Sequence, residues 1–117
     1  MSKLRVGIIG LGGIARARGD AIATLDNIEV VAVADLFEDK RQQFMERYAV
    51  PKGYVSHVEL LQDEEVDAVA ITVGHQLHHK LTVDSCNAGK HVLVEKPMAI
   101  SLEQCDDMIV AEAANDV

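Results

Sequence analysis

Short apolar runs rich in Val, Ile and Ala alternate along the chain with longer segments in which apolar and charged residues recur at helical spacing. The runs are typical of buried strands and the amphipathic segments of surface helices. The predicted strands are residues 4–9, 29–34, 54–55, 67–72 and 91–95. The predicted helices are residues 13–25, 38–48, 57–62 and 76–87, with a last helix after Ser101. Ser56 and Ser101 are the expected caps of the helices that follow them, the second with Gln104 as a capping-box partner.

This alternation predicts a Rossmann-type α/β fold. Strands that alternate with helices pair in parallel through right-handed crossovers. We therefore expect a doubly wound parallel sheet with strand order 3-2-1-4-5. The 117 residues fit one domain, residues 1–117. The chain stops after a helix, where a parallel α/β fold usually continues into another strand, so we expect a truncated domain.

Composition supports this fold and narrows the range of partners. Hydrophobic residues make up 49% of the chain and aromatic residues only 3%, so aliphatic side chains must build the core. The net charge of −8 argues against nucleic acid and anionic membranes, which need clustered Lys and Arg. The two cysteines form no Cys-x-x-Cys pair, no secretory signal is visible, and no apolar stretch approaches the ~20 residues of a membrane span. We expect a cytoplasmic protein.

A glycine-rich turn follows the first predicted strand. Gly10-x-Gly12-x-x-Ala15 lies between that strand and the first helix, the context that makes such a motif informative. Gly10 permits a tight turn, Gly12 lets a pyrophosphate approach the backbone, and Ala15 allows close packing of helix on strand. The helix N-terminus then offers N–H groups to the phosphates. The turn predicts a dinucleotide-binding site.

Asp35 ends the second predicted strand, 20 residues after Ala15. A carboxylate in this position accepts hydrogen bonds from the adenosine ribose and repels a 2′-phosphate, which favours NAD(H) over NADP(H). Lys40 and Arg41 keep NADP(H) as an alternative. A second interpretation of Asp35 is a strand-end cap of the following helix.

Glu95-Lys96-Pro97 closes the last predicted strand. Functional groups in open α/β sheets gather at the carboxyl ends of strands. Lys96 there could donate a hydrogen bond to a substrate oxygen and help move a proton. A cis bond before Pro97 would aim Lys96. The alternative is an ordinary surface lysine before a turn.

Three histidines, His75, His78 and His79, follow the strand that ends at Thr72. The spacing His75-x-x-His78 lacks an evident third ligand, so we expect no metal site. We interpret His78 as a residue that faces the nicotinamide end of the cleft, with His75 beside the cofactor. The alternative is a solvated start of a helix.

Together these motifs resemble the glucose–fructose oxidoreductase/inositol dehydrogenase (Gfo/Idh/MocA) family. The resemblance runs from Val6 to about Ala113. It rests on three strings: Gly7-Ile8-Ile9-Gly10-x-Gly12-Gly13-Ile14-Ala15, Val33-Ala34-Asp35, and Ala88-Gly89-Lys90-His91-Val92-Leu93-Val94-Glu95-Lys96-Pro97.

The resemblance implies a reaction and a role for each site residue. The reaction would be hydride transfer between a nicotinamide cofactor and a sugar, cyclitol or similar polyol, in a homo-oligomeric parent. Lys96 and His78 would be catalytic, Lys96 at the reacting oxygen and His78 near the nicotinamide ribose or the substrate mouth. The implied cofactor contacts are Gly10, Gly12, Gly13 and Ile14 at the pyrophosphate, Asp35 at the ribose, Thr72 along the cofactor, and Glu95 and Lys96 at the nicotinamide.

Two departures from the family pattern leave a second hypothesis open. The family usually has Thr-Pro-Asn where this chain has Thr72-Val73-Gly74. The family's second domain, which carries further acid/base and substrate residues, is absent from this sequence. A stand-alone dinucleotide-sensing module without catalysis is therefore the alternative to an oxidoreductase cofactor domain, although a sensor has no need of Lys96.

The expected strand order also predicts self-association. Without a sixth strand, residues 91–95 form an unprotected edge that is apolar on both faces. We expect concentration-dependent association through this edge, or a helix that covers it, measurable by light scattering and amide exchange. A clean monomer at high concentration, with rapid exchange along residues 91–95, would count against edge pairing.

Overall fold

The computed structural model describes residues 2–117, which form a five-stranded parallel sheet with helices on both faces. The strands are β1 (Leu4–Ile9), β2 (Ile28–Ala34), β3 (Lys52–Tyr54), β4 (Ala68–Ile71) and β5 (His91–Val94). The helices are α1 (Gly13–Ile22), α2 (Glu38–Tyr48), α3 (His57–Leu61), α4 (His78–Asn87) and α5 (Leu102–Asn115), with a 3₁₀ turn at His75–Leu77. The strand order is β3-β2-β1-β4-β5, which confirms the predicted Rossmann topology.

Element boundaries depart from the prediction where local hydrogen bonding decides them. α1 ends at Ile22 rather than at residue 25, because the N–H groups of Thr24 and Leu25 bond three residues back and tighten the last turn. The third strand is residues 52–54 rather than 54–55. Gly53 lies inside this strand. It packs closely against α2, because a Cβ at this position would lie only 2.6 Å from Met45 Sδ.

The two serine caps differ in detail. Ser56 forms the full capping box with Glu59. Ser101 accepts a hydrogen bond from Gln104 N–H at 3.2 Å, as expected. The predicted capping-box bond back to Ser101 is wrong, however, because Gln104 Oε1 accepts from Ile100 N–H instead.

Alternation along the central strands divides the core between the two faces of the sheet. Ile8 and Val33 pack with Ala15 of α1 and Phe44 of α2. On the opposite face, the neighbouring strand residues pack against α3 and α4; this cluster includes Ile9, Ala34, Ile71, Leu60 and Leu81. Both faces of the sheet are therefore buried, as the aliphatic composition predicts.

The parallel pairing places the predicted site residues at one edge of the sheet. Gly10, Asp35, Thr72 and Glu95 each follow the carboxyl end of a strand. The chain winds from β1 to β3 in one direction, then crosses back to β4 and continues to β5 in the other, so the topological switch point lies between the neighbouring strands β1 and β4. That switch point opens a crevice at the carboxyl edge, where ligands bind in open α/β sheets.

β5 is an outer strand of the sheet, and Leu93 on it is 54% exposed. Among residues 2–117, no helix combines the length and apolar character needed to span a membrane.

Asp63 lies in the turn between α3 and β4, and its side chain connects this turn to β3. Its side chain is 6% exposed and accepts hydrogen bonds from Lys52 Nζ at 3.0 Å, Tyr54 OH at 2.9 Å and Glu65 N–H at 2.9 Å. Burial raises the pKa of Asp63, but these hydrogen bonds and the Lys52 charge outweigh it, so the pKa lies below its ordinary value.

Asp63 is predicted to supply stability that acid removes. Because its pKa in the folded chain lies below the unfolded value of about 3.9, the contribution is present above that pH and is lost as pH falls through the folded pKa. Asp63→Asn should lower the free energy of unfolding by about 1–3 kcal/mol at pH 7 and by less in acid. Urea denaturation at neutral and acid pH measures this, with the exposed Asp106→Asn as control. Equal destabilisation by Asp63→Asn at both pH values would contradict the prediction.

Candidate functional site

The glycine-rich turn connects β1 to α1 at the switch point. Gly10 has φ +91°, and a Cβ there would lie 2.8 Å from the carbonyl oxygen of Thr72. Its N–H donates to Ala34 O at 2.9 Å. The fold itself therefore requires glycine at position 10.

Gly12 and Gly13 differ from Gly10, because a Cβ at either would meet no atom of the chain within 4 Å. Neither has a positive φ. α1 begins at Gly13, has no side-chain cap and carries no acidic residue in its first turn. Its first N–H groups therefore have no capping side chain, and the missing side chains of Gly12 and Gly13 leave room for a phosphate group close to the backbone. This geometry fits a dinucleotide pyrophosphate.

Asp35 is tied to the same turn. Its Oδ2 accepts from Leu11 N–H at 2.9 Å and its Oδ1 from Phe37 N–H at 2.9 Å. Arg41 Nη1 donates to the Asp35 carbonyl oxygen at 2.7 Å. Each carboxylate oxygen accepts one backbone hydrogen bond and retains a further acceptor position. Asp35 thus organises the turn before α2 through Phe37 N–H, but it does not cap the helix, because α2 has no side-chain cap hydrogen bond. Its carboxylate can still accept hydrogen bonds from a ligand hydroxyl.

A cavity of about 350 Å³ opens beside Asp35. Its walls come from the ends of β1, β2, β3 and β4, and they are mostly apolar. Leu36, Val55 and Leu77 supply apolar surface, and Lys40 and Lys80 lie at its rim. The size and lining suit a flat aromatic base next to the Asp35 carboxylate.

A second cavity, of about 240 Å³, lies on the other side of the turn. Seven residues line it, and the sequence predicts six of them as site residues: Ile14, Thr72, His75, His78, Glu95 and Lys96. The seventh is Val73. The structure therefore brings the β4 and β5 motifs together with α1, and we refer to this space as the second cavity.

Glu95 turns toward α1 rather than toward Lys96. Arg18 Nε donates to Glu95 Oε2 at 2.8 Å, and Arg18 Nη2 bonds the same oxygen. Lys96 is exposed, and no hydrogen bond within residues 2–117 engages its ammonium group. The peptide bond between Lys96 and Pro97 is cis, as expected. The Glu95 carboxylate is thus neutralised by Arg18, and the Lys96 ammonium group stays available at the cavity mouth.

Thr72 and His78 use their polar atoms on the backbone. The Thr72 hydroxyl donates to the carbonyl oxygens of Ile9, at 3.2 Å, and Gly10. The His78 ring is fully buried, with Nδ1 2.7 Å from Pro97 O and Nε2 3.1 Å from Val73 O. The expectation that His78 faces a substrate meets a physical obstacle, because the ring is buried and each of its nitrogens already faces a backbone carbonyl oxygen.

His75 is exposed, and its ring centroid lies 5.6 Å from that of His78. Within the described residues, no group of three or more His, Cys, Asp or Glu side chains is placed to hold a metal ion.

Sequence reasoning missed Arg18, and it named Val73 only as part of a departure from the family pattern. A signal for Arg18 exists, since it lies four residues after Ile14 and therefore on the same face of α1. Val73 carries no such signal. Val73 borders the cavity because of the path that the backbone takes after β4, and not because of the chemistry of its side chain.

Comparisons with known proteins agree with this geometry. A model of the Gfo/Idh/MocA oxidoreductase family, described as an NAD-binding Rossmann fold, matches residues 4–117. The myo-inositol 2-dehydrogenase of Thermotoga maritima is 33% identical over 114 residues, covering 97% of this chain and 34% of that protein. The chain spans about a third of the length of the curated relatives it matches.

Two solved structures with bound cofactors are also similar. A dehydrogenase from Chromobacterium violaceum, in complex with NADH and UDP-GlcNAcA, superimposes with a TM-score of 0.94 at 28% identity, covering 99% of this chain and 34% of its own. A 3-ketoreductase from Actinomadura kijaniata, in complex with TDP-benzene and NADP, gives a TM-score of 0.93 at 29% identity, covering 99% and 36%.

The glycines of the turn provide a test that separates folding from binding. Gly10→Ala should lower the free energy of unfolding by about 1–3 kcal/mol or more, because its φ is positive and its Cβ would overlap Thr72 O. Gly12→Ala should leave stability within about 0.5 kcal/mol, yet weaken NAD⁺ binding about tenfold or more by filling the phosphate space. Thermal denaturation and calorimetric titration of both variants measure this. Unchanged NAD⁺ affinity in Gly12→Ala would show that the phosphate lies elsewhere.

Proposed function

This chain belongs to the Gfo/Idh/MocA oxidoreductase family as its NAD-binding Rossmann-fold domain, and on that premise we propose how it works. It holds NAD(H) across the carboxyl edge of its sheet and contributes Lys96 to an oxidoreductase that interconverts the alcohol and carbonyl forms of a sugar, cyclitol or similar polyol. The observation that carries this proposal is the second cavity, where six predicted site residues meet beside the glycine-rich turn.

The chain offers a distinct place for each part of the cofactor. The N–H groups around Gly12 and Gly13 hold the pyrophosphate, aided by the helix dipole of α1. Asp35 accepts hydrogen bonds from the adenosine ribose, and the 350 Å³ cavity takes the adenine. The nicotinamide end of the cofactor lies at the second cavity. Bound there, the nicotinamide ring supplies the hydride acceptor or donor.

Lys96 is the residue that acts on the substrate oxygen. Its ammonium group donates a hydrogen bond that stabilises negative charge on that oxygen, and it can pass a proton to or from it. The Arg18–Glu95 ion pair supports this role, because it keeps the adjacent carboxylate from pairing with Lys96. His78 supports the site from behind rather than by contact with substrate.

NAD(H) is the proposed cofactor in preference to NADP(H). The Asp35 carboxylate would repel a 2′-phosphate, and Arg41, a cation that could offset it, already bonds the Asp35 carbonyl oxygen. Lys40 lies 5.4 Å from the centre of the Phe37 ring. The similar structures include one bound to NADH and one bound to NADP, and the preference therefore depends on this chain's own Asp35 and Arg41.

The broader setting of the protein follows from the same reasoning. Relatives named inositol 2-dehydrogenases support a polyol substrate. We propose a homo-oligomeric cytoplasmic parent that does not bind nucleic acid, in line with the net charge of −8 and the free cysteines Cys86 and Cys105. Burial raises the pKa of the Cys86 thiol, which argues for a structural role.

Removing the charge at Asp35 tests the cofactor preference. We predict that the wild-type chain binds NAD⁺ at up to millimolar concentration, and that it prefers NAD⁺ to NADP⁺ by about tenfold. Asp35→Asn, which removes the charge and keeps one of the two oxygen acceptors used by Leu11 N–H and Phe37 N–H, should bring the two affinities close together. Asp35→Ala should also weaken the binding of NAD⁺, since the alanine side chain can contact neither the ribose nor the backbone of the turn.

Calorimetric titration of each variant with NAD⁺ and NADP⁺ is the measurement. If the ratio of NAD⁺ to NADP⁺ affinity is the same in Asp35→Asn as in the wild-type chain, Asp35 serves only to hold the turn before α2. No binding of either cofactor to the wild-type chain at millimolar concentration would contradict the proposed function.

A further inference from the structure

His78 is a fully buried polar residue at the start of α4, between two loops. One loop follows β4 and contains Val73; the other follows β5 and contains Lys96 and Pro97. The ring touches the backbone of both loops through its two nitrogens, Nδ1 at 2.7 Å from Pro97 O and Nε2 at 3.1 Å from Val73 O.

The hydrogen-bond inventory of imidazole makes this arrangement specific. A neutral ring has one N–H, whereas carbonyl oxygens only accept. We assign the proton to Nδ1, the nitrogen with the shorter contact, so that Nδ1–H donates to Pro97 O. This is a bond across 19 residues of sequence, from the first turn of α4 to the residue after Lys96.

Both loops line the second cavity. Val73 and His78 border it from the loop after β4 and the start of α4, and Glu95 and Lys96 border it from the loop after β5. We infer that His78 is a positioning residue, whose Nδ1–H bond to Pro97 O holds the Lys96 loop against the β4 loop and so shapes the nicotinamide end of the site. The identity of the occupant rests on the proposed function.

A direct catalytic contact by His78 is a poorer account of the same facts. The residue has no exposed surface, and each ring nitrogen already faces a carbonyl oxygen. A substrate would have to displace one of these contacts to reach the ring. The Pro97 bond instead lets the buried ring act on the exposed Lys96 through the backbone.

Three substitutions separate the two ring nitrogens. His78→Asn places an amide N–H near the position of Nδ1, and His78→Gln places one near the position of Nε2. His78→Phe keeps a ring but removes both nitrogens. If the bond to Pro97 O positions the Lys96 loop, the His78→Asn variant should retain the NADH affinity that the His78→Phe and His78→Gln variants lose.

Two probes separate positioning from general stability. NADH carries the nicotinamide ring, and ADP-ribose lacks it while keeping the adenosine and pyrophosphate. We expect Phe and Gln to weaken NADH binding about tenfold and ADP-ribose binding by less than about twofold, with Asn restoring NADH binding to near the wild-type value. Calorimetry measures both affinities in the whole chain, and NADH fluorescence gives a second readout of the nicotinamide environment.

The outcomes distinguish this inference from the function beneath it. If the variants weaken both probes equally, or weaken neither, His78 supports only the fold and the inference is overturned. The same holds if Gln rescues NADH binding and Asn does not. A wild-type chain that binds neither probe contradicts the proposed function and, with it, the inference.

A measurement on the wild-type chain avoids the risk that a substituted chain fails to fold. Nitrogen-15 spectra of the imidazole report which ring nitrogen of His78 carries a proton. Protonation at Nδ1 is expected, whether or not Nε2 is protonated too. An unprotonated Nδ1 would overturn the inference, because no donor would then face Pro97 O.

Discussion

The hydrogen bonds between the end of β4 and the turn after β1 are the interaction on which the rest of the site depends. The Thr72 N–H donates to Ile9 O at 2.9 Å, and its hydroxyl also reaches the Ile9 and Gly10 carbonyl oxygens. These bonds hold the carboxyl ends of β1 and β4 together at the topological switch point. Gly10 accommodates the close approach with a positive φ and no Cβ, and α1 starts three residues later, at Gly13.

Much of the fold follows from alternation alone, because strands buried on both faces must be apolar and their crossovers must be helical. Thr72 shows where this reasoning stops. Its place after a strand predicts a position along the crevice, and that is where it lies. The sequence could not show that its hydroxyl faces the backbone, since this depends on how closely β1 and β4 approach. Gly53 presents the same limit, because its close packing against the Met45 side chain is a tertiary contact.

The candidate site shows a similar division between position and role. Glu95 and Lys96 are adjacent in sequence, yet Glu95 pairs with Arg18 while Lys96 stays exposed. His78 and His75 belong to one motif, yet one is buried and the other exposed. Motif spacing predicts which residues gather at the carboxyl edge. Which of them face the ligand and which hold the backbone is decided by packing, and packing is visible only in three dimensions.

The central claim is that NAD(H) lies along the carboxyl edge of the sheet, with its pyrophosphate at α1 and its nicotinamide at the second cavity. Amide chemical-shift mapping of the labelled chain during NAD⁺ titration tests this most directly. The account predicts saturable shifts at Gly12, Gly13, Asp35 and Lys96, with residues at the opposite edge, such as Leu4 and Asp67, unmoved. Shifts centred on that opposite edge, or none at millimolar NAD⁺, would contradict it.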